Sequence, residues 1–216
     1  MAVNNADYMV DIRDEQQIPN QQKKSHTWRT ELWDFIKTLL IFYILYFFVR
    51  TYIAQPFLVK GRSMEQTFSD GDYLIVDQLS YSFSEPKRFE VVVFHTEFIP
   101  GGSVNEYYIK RVIGLPGDRI VVKEGSVFLY EQNDSTAVKL DEKYLIDGLK
   151  TLSNAPVDVV LKDNEYFVLG DNRGNSSDSR YWGPVNKKYI LGKPLIRLFP
   201  FNEMAIFTKE EFIGNK

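Results

Sequence analysis

Hydrophobic and polar positions follow two different rhythms along this chain. From Leu32 to Ile53 it reads LWDFIKTLLIFYILYFFVRTYI, and the centre, Thr38 to Val49, carries no charge. A run of that length reaches across a hydrocarbon core of about 30 Å at about 1.5 Å per residue. Apolar side chains surround its centre, so a helix built from it has no polar face to offer water. Asp34, Lys37 and Arg50 lie near the ends, where long basic side chains reach the interface, and Trp28, Trp33 and Tyr52 suit interfacial belts. The pattern predicts a transmembrane signal-anchor helix over 32–53. A cleaved signal fits less well: a polar stretch, 1–31, comes first, and the exit from Val49 to Gln55 has no Ala-x-Ala-like site. Residues 1–31, rich in Asn, Gln, Asp and Lys, read as a mobile cytoplasmic tail. Lys23, Lys24, Arg29 and Lys37 precede or open the run, against Arg50, Lys60 and Arg62 after it. That excess places the N-terminus inside and the rest of the chain outside the cytoplasm.

Beyond Gln55 the rhythm shortens. Apolar, β-branched and aromatic runs alternate with turn residues: Tyr73–Val76, Val91–Phe94, Tyr107–Ile109, Arg119–Val122, Ser126–Tyr130, Tyr166–Leu169 and Leu195–Phe199. Asp70-Gly71-Asp72, Pro116-Gly117-Asp118, Glu124-Gly125 and Gly170-Asp171-Asn172 separate them. No long period of 3.6 recurs there. The reading is a mainly β fold, a coiled antiparallel sheet domain over 54–216. The more polar stretch 124–163 reads as a small inserted cap.

Composition narrows the chemistry. Cysteine is absent, which excludes disulfides, thiolate metal sites and cysteine nucleophiles. The two histidines, His26 and His95, are too few for a multi-histidine metal site. With 26 basic and 29 acidic residues the net charge is −3, so nucleic acid is not the expected partner. His95 has nothing around it in sequence to frame a catalytic role, and a satisfied surface position is its ordinary reading.

Three polar segments remain. The first is Gly61-Arg62-Ser63-Met64-Glu65-Gln66-Thr67, directly after the apolar run. A serine hydroxyl is a weak nucleophile until a base takes its proton, and no histidine lies near Ser63. The second surrounds Lys110, between Ile109 and Val112 in a strand-like run. Alternation puts Lys110 on one face with Tyr108 and Val112. Burial there lowers a lysine pKa far enough for it to act as a base, a known variant of the serine triad; an exposed strand-edge charge is the ordinary alternative. The third runs from Gly170 to Arg180 as GDNRGNSSDSR. Its ordinary reading is a solvated turn. Its functional reading is a hydrogen-bonded loop in which Asp178 pairs Arg180 and Ser176 orients the lysine amine.

The order of these features, an apolar anchor, then G-x-S-M-x-x-T, then K-R-V-I-G-L-P-G-D at 110–118, then G-D-N-R-x-x-S-x-D-S-R at 170–180, resembles bacterial type I signal peptidase over about residues 30–200. The resemblance implies a serine endopeptidase of the bacterial plasma membrane that removes signal peptides from exported preproteins without metal or cofactor. Ser63 would be nucleophile and Lys110 general base, with Ser176, Asp178, Arg180 and Arg111 in support. The oxyanion hole would be formed by Ser63, through its N–H, and Gly61. Some members add a serine hydroxyl at the position of Gly61, so that donor is missing here. Phe57, Val59, Met64, Tyr108 and Ile109 would line pockets for small side chains, with the substrate added as a strand. Phe57 and Trp182 would form an apolar rim touching lipid. One departure stands out: the family pattern S-M-x-P-T reads S-M-E-Q-T here, and loss of a residue that fixes φ is expected to loosen the turn at Gln66. Two other classes compete: a non-catalytic or narrow-clientele relative serving assembly of surface or pilin subunits, and a self-cleaving Ser-Lys repressor. The intact Ser63 and Lys110 oppose the idle relative, and the absence of a basic DNA-reading region opposes the repressor.

Overall fold

A computed structural model describes residues 28–50 and 54–207, except 133 and 135. Of the sequence expectations, the tail up to residue 27 with His26, and residues 51–53 of the proposed span with Tyr52, lie outside the described residues. The chain divides into two units, Met1–Tyr43 and Ile44–Lys216.

Helix α1 (Trp28–Phe48) is 21 residues long, with no buried side chain. It begins inside the stretch expected to be tail. Glu31, Asp34 and Lys37 all fall within it, and its α-helical part stops at Phe48, before Val49. Among the described residues, no helix is long and apolar enough to cross a membrane. Lys37 donates to Asp34 across one turn at 3.3 Å.

The β domain has strands β1 (Ala54–Leu58), β2 (Tyr73–Asp77), β3 (Val91–His95), β4 (Tyr107–Gly114), β5 (Arg119–Lys123) and β6 (Ser126–Tyr130). There follow β7 (Val138–Lys139), β8 (Val157–Val160), β9 (Glu165–Leu169), β10 (Val185–Asn186), β11 (Ile190–Phe199) and β12 (Ala205–Ile206). Short helices α2 (Ser80–Phe83) and α3 (Ser179–Trp182) sit between strands. The larger sheet runs β1-β2-β11-β3-β4-β9-β10, with β12 also on β11; the smaller runs β7-β6-β5-β8. The ladders in both are antiparallel.

The stretch 124–163, expected to be a cap, starts too late to hold the whole of the smaller sheet. It supplies β6, β7 and β8, but β5 ahead of it belongs to the same sheet. Ile120, Val122, Val127 and Leu129 of that sheet pack on Ile113, Phe167 and Leu169 of the larger one in a common core. Strands β1 and β8 carry weak sequence signals. Proline interrupts AQPFL, tolerable because β1 is an edge. Val157–Val160 reads VDVV, with Asp158 turned out to pair with Arg119 at 2.6 Å. β11 extends well before Leu195; its register shifts between Pro194 and Ile196, which accommodates the missing proline donor.

Candidate active site

Ser63 lies in the turn that joins β1 to β2. Met64 (1% exposed) pins this turn to the core beside Val59, Phe68, Leu74 and Val91. Lys110 lies on β4, opposite Val92 of β3. Its side chain is buried and its Nζ donates to Ser63 Oγ at 2.8 Å and to the Ile109 carbonyl at 2.9 Å. Nζ also sits 5.0 Å from the centre of the Tyr108 ring, as face-sharing predicts. Burial pushes the amine down to about 8, against the upward pull of Asp178 and Asp171. An amine that gives up its proton more readily than an ordinary lysine thus meets a hydroxyl in one hydrogen bond, the arrangement a nucleophile–base pair needs.

The loop after β9 clamps this pair. Asn172 donates from its backbone to the Ser63 carbonyl at 3.0 Å, and from its side-chain amide to the Arg62 carbonyl at 3.0 Å. Asp178 and Arg180 form a fully buried bidentate pair at 2.7 and 2.8 Å. Asp178 also accepts the Gly170 N–H at 3.1 Å and caps α3. Removing one member of such a pair leaves a bare buried charge and costs about 3–5 kcal/mol. Arg111, on the opposite face of β4 from Lys110, grips Asp171 at 2.8 and 2.6 Å and receives Thr67 and the Phe89 carbonyl as further acceptors. Thr67 in turn donates to Asp171 at 2.6 Å, which ties the end of the nucleophile turn to the loop.

Ser63 and Lys110 open into a cleft of about 780 Å³. Phe57, Val59, Tyr108 and Ile109 line it, with Tyr107 and Asn105. Phe57 and Tyr107 meet edge to face at 5.0 Å.

Residues 32–199 match the family model described as signal peptidase, peptidase S26. The chain belongs to this family. A probable signal peptidase I-2 of Synechocystis sp. is 37% identical over 81% of this chain and 76% of its own length. A signal peptidase I of Bacillus licheniformis is 32% identical over 85% of this chain and 97% of its own. A solved signal peptidase I of Enterococcus faecalis is similar over 51% of this chain and 97% of that one, at 24% identity and a TM-score of 0.38.

Several expected roles in the peptidase change place. Met64 does not line the cleft; it is a core residue, because the turn needs an apolar anchor under Ser63. Gly61 is not an oxyanion donor, since its N–H is taken by Asp70 Oδ1 at 2.7 Å. Among the described residues no acceptor takes the Ser63 N–H. Ser176 does not bond the lysine amine: its buried hydroxyl has no partner among the described residues, and Lys110 Nζ donates to Ser63 and Ile109. Trp182 is half-buried against Phe94 and Phe98, at 5.9 and 5.6 Å, rather than standing on an apolar rim. His95 bonds the Val104 carbonyl at 2.9 Å and its ring lies tilted 4.7 Å from that of Tyr107, the satisfied role expected of it.

Gln66 carries a different message from the one its sequence suggests. Thr67 N–H bonds the Met64 carbonyl at 3.0 Å, which makes Gln66 the third residue of a tight turn. Its φ is +97°, a left-handed value. Proline is locked near −65°, so it cannot enter this turn. Gln66→Pro should therefore lower stability by about 3 kcal/mol, whereas Gln66→Gly should raise it by about 1 kcal/mol. Denaturant midpoints of the two variants check the opposite signs; a stabilising proline would show that the turn is built otherwise.

Sequence reasoning gave no role to Thr67, Asp171, Asn172 or Arg173. The density of GDNR was the signal, but only the folded loop shows which of its side chains face the nucleophile turn.

Proposed function

We propose that the peptidase cuts signal peptides from exported preproteins with Ser63 as nucleophile and Lys110 as general base. The observation that carries this is the 2.8 Å contact between Ser63 Oγ and a buried amine held near 8. Deprotonated Lys110 takes the Ser63 proton as Oγ attacks the scissile carbonyl carbon. The Ser63 N–H faces the developing oxyanion. Lys110 then returns its proton to the leaving amine, and a serine ester remains. Water then loses a proton to Lys110 and attacks the ester carbon; as the bond to Oγ breaks, Lys110 passes that proton to Ser63, which frees the acid and restores the pair.

The substrate runs through the cleft in extended form beside β1, the sheet edge with unpaired backbone groups. Phe57, Tyr107 and Tyr108 crowd the cleft walls, which favours small side chains before the cut. Residues 32–53 anchor the chain in the bacterial plasma membrane, N-terminus inside and β domain outside. In support, apolar side chains from Leu39 to Phe48 stand exposed on all sides of α1, which water tolerates poorly. The Asp34–Lys37 pair reduces the charge carried into the apolar run.

One experiment tests the reading. Membranes holding the chain are washed with alkaline carbonate, dissolved in detergent and given a preprotein. Cleavage after a small residue is expected from the washed membranes, and none from Ser63→Ala. Release of the protein by the wash would end the anchor assignment, and cleavage by Ser63→Ala would end the dyad.

A further inference from the structure

Arg173 has a fully buried side chain, and a buried guanidinium needs a complete set of acceptors. One of them lies in its own loop: Nε donates to the Gly170 carbonyl at 3.0 Å. The rest come from a single segment between β7 and β8. Nη1 donates to Glu142 Oε2 at 3.0 Å and to Thr151 Oγ1; Nη2 donates to Glu142 Oε1 and to Tyr144 OH at 3.0 Å. Glu142 is the one carboxylate in this set, and its side chain is 11% exposed. Tyr144 donates its hydroxyl to Glu142 Oε1 at 2.6 Å, and its ring lies 4.0 Å from the Arg111 guanidinium.

The segment therefore touches both arginines that flank the dyad. Arg173 fixes Gly170, and Arg111 fixes Asp171; the next residue, Asn172, holds the Ser63 carbonyl. The sequence places this segment in a polar connection far from any motif. The fold brings its carboxylate to the back of the catalytic loop.

We propose that Glu142 is a positioning residue for the Ser63–Lys110 dyad, acting through Arg173 to set the loop 170–172 that holds the nucleophile turn. The proposal rests on the reading of the dyad given above. Without the carboxylate, Arg173 carries an unmatched charge and leaves its place, and the Gly170 and Asn172 contacts shift with it. The loss falls on the alignment of Ser63, not on the cleft walls, because Glu142 is not among the cleft-lining residues.

The test uses the full chain in detergent with a preprotein substrate. Steady-state kcat and KM are measured for the parent, Glu142→Gln, Glu142→Asp and Tyr144→Phe, with thermal unfolding of each. Glu142→Gln should lower kcat by about tenfold or more with KM little changed, since small misplacements of reacting groups carry losses of this order. Glu142→Asp, which keeps the charge, should recover part of it. An unchanged kcat, a loss confined to KM, or an Asp variant no better than Gln would overturn the proposal. If Glu142→Gln does not fold, Tyr144→Phe decides: it removes one hydroxyl from the set, and an unchanged kcat there is equally fatal. Cleavage that survives Ser63→Ala would instead strike down the dyad reading.

Discussion

Lys110→Met abolishes cleavage and at the same time makes the protein harder to unfold at neutral pH. Activity should fall on the order of ten-thousandfold, as when a serine nucleophile loses its base. Lys110→Arg should do no better, because a guanidinium keeps its proton at any working pH. In the parent, kcat/KM should rise about tenfold per pH unit and level off above about 8, the value to which burial lowers the amine. The stability change follows from the same burial. Lys110 holds its proton less tightly folded, at about 8, than unfolded, at its ordinary 10.5. The unfolded chain therefore binds more protons between these values, and stability rises with pH across that window. Below pH 8 the full penalty stands, about 3 kcal/mol. Methionine removes it, so the variant's advantage in denaturant should be largest near pH 7 and shrink toward pH 10. A variant less stable than the parent at both pH values would mean that the amine is not destabilising where it sits.

Gly170→Ala should cost activity out of proportion to one methyl group. A Cβ at this position would lie 2.1 Å from Ser176 Oγ and 2.5 Å from the Ser63 carbonyl oxygen. Turning the Ser176 hydroxyl gives no relief, because its Cβ would also lie at 2.5 Å, and the Ser63 carbonyl is backbone already held by the Asn172 N–H at 3.0 Å. The nucleophile turn and the catalytic loop must move apart, and Ser63 leaves its 2.8 Å contact with Lys110. We expect kcat to fall about a hundredfold and stability by about 1–3 kcal/mol from overpacking. Kinetics beside a denaturation curve separate the two effects. Parent-like kcat in a folded Gly170→Ala protein would show that the loop and the turn do not share a fixed spacing.

How much of this was legible follows the range of each interaction. The residues alone offered a serine in a glycine turn and a lysine on one face of a strand, with an exposed charge as the ordinary alternative; the resemblance paired them, and the fold brings them to 2.8 Å. The strands announced themselves wherever β-branched runs met turn residues. What stayed hidden depends on distant partners. Gln66 reads as a loosened turn until its φ is known. Met64 looks like a pocket residue until its side chain is found in the core. The polar segment with Glu142, Tyr144 and Thr151 looks like a solvated connection, because nothing near it in sequence says that a buried arginine waits for it. Ser176, expected to orient the lysine amine, makes no hydrogen bond to it in the fold.

The last long strand has a consequence for when the enzyme comes alive. β11 lies between β2 and β3, with Ser63's turn on the β1–β2 side and Lys110 on the β3–β4 side. Its Arg197 also reaches Asp72 at 3.0 Å and the Thr67 carbonyl, at the foot of the nucleophile turn. The turn with Ser63 and the strand with Lys110 thus lie on opposite sides of this late segment in the sheet, and Arg111, which donates to Thr67, ties them a second time. A chain halted before residue 190 is expected to hold Ser63 and Lys110 but to lack the strand that joins β2 to β3. Such non-local pairing also folds slowly. The larger sheet is therefore expected to close only once residues 190–199 are in place.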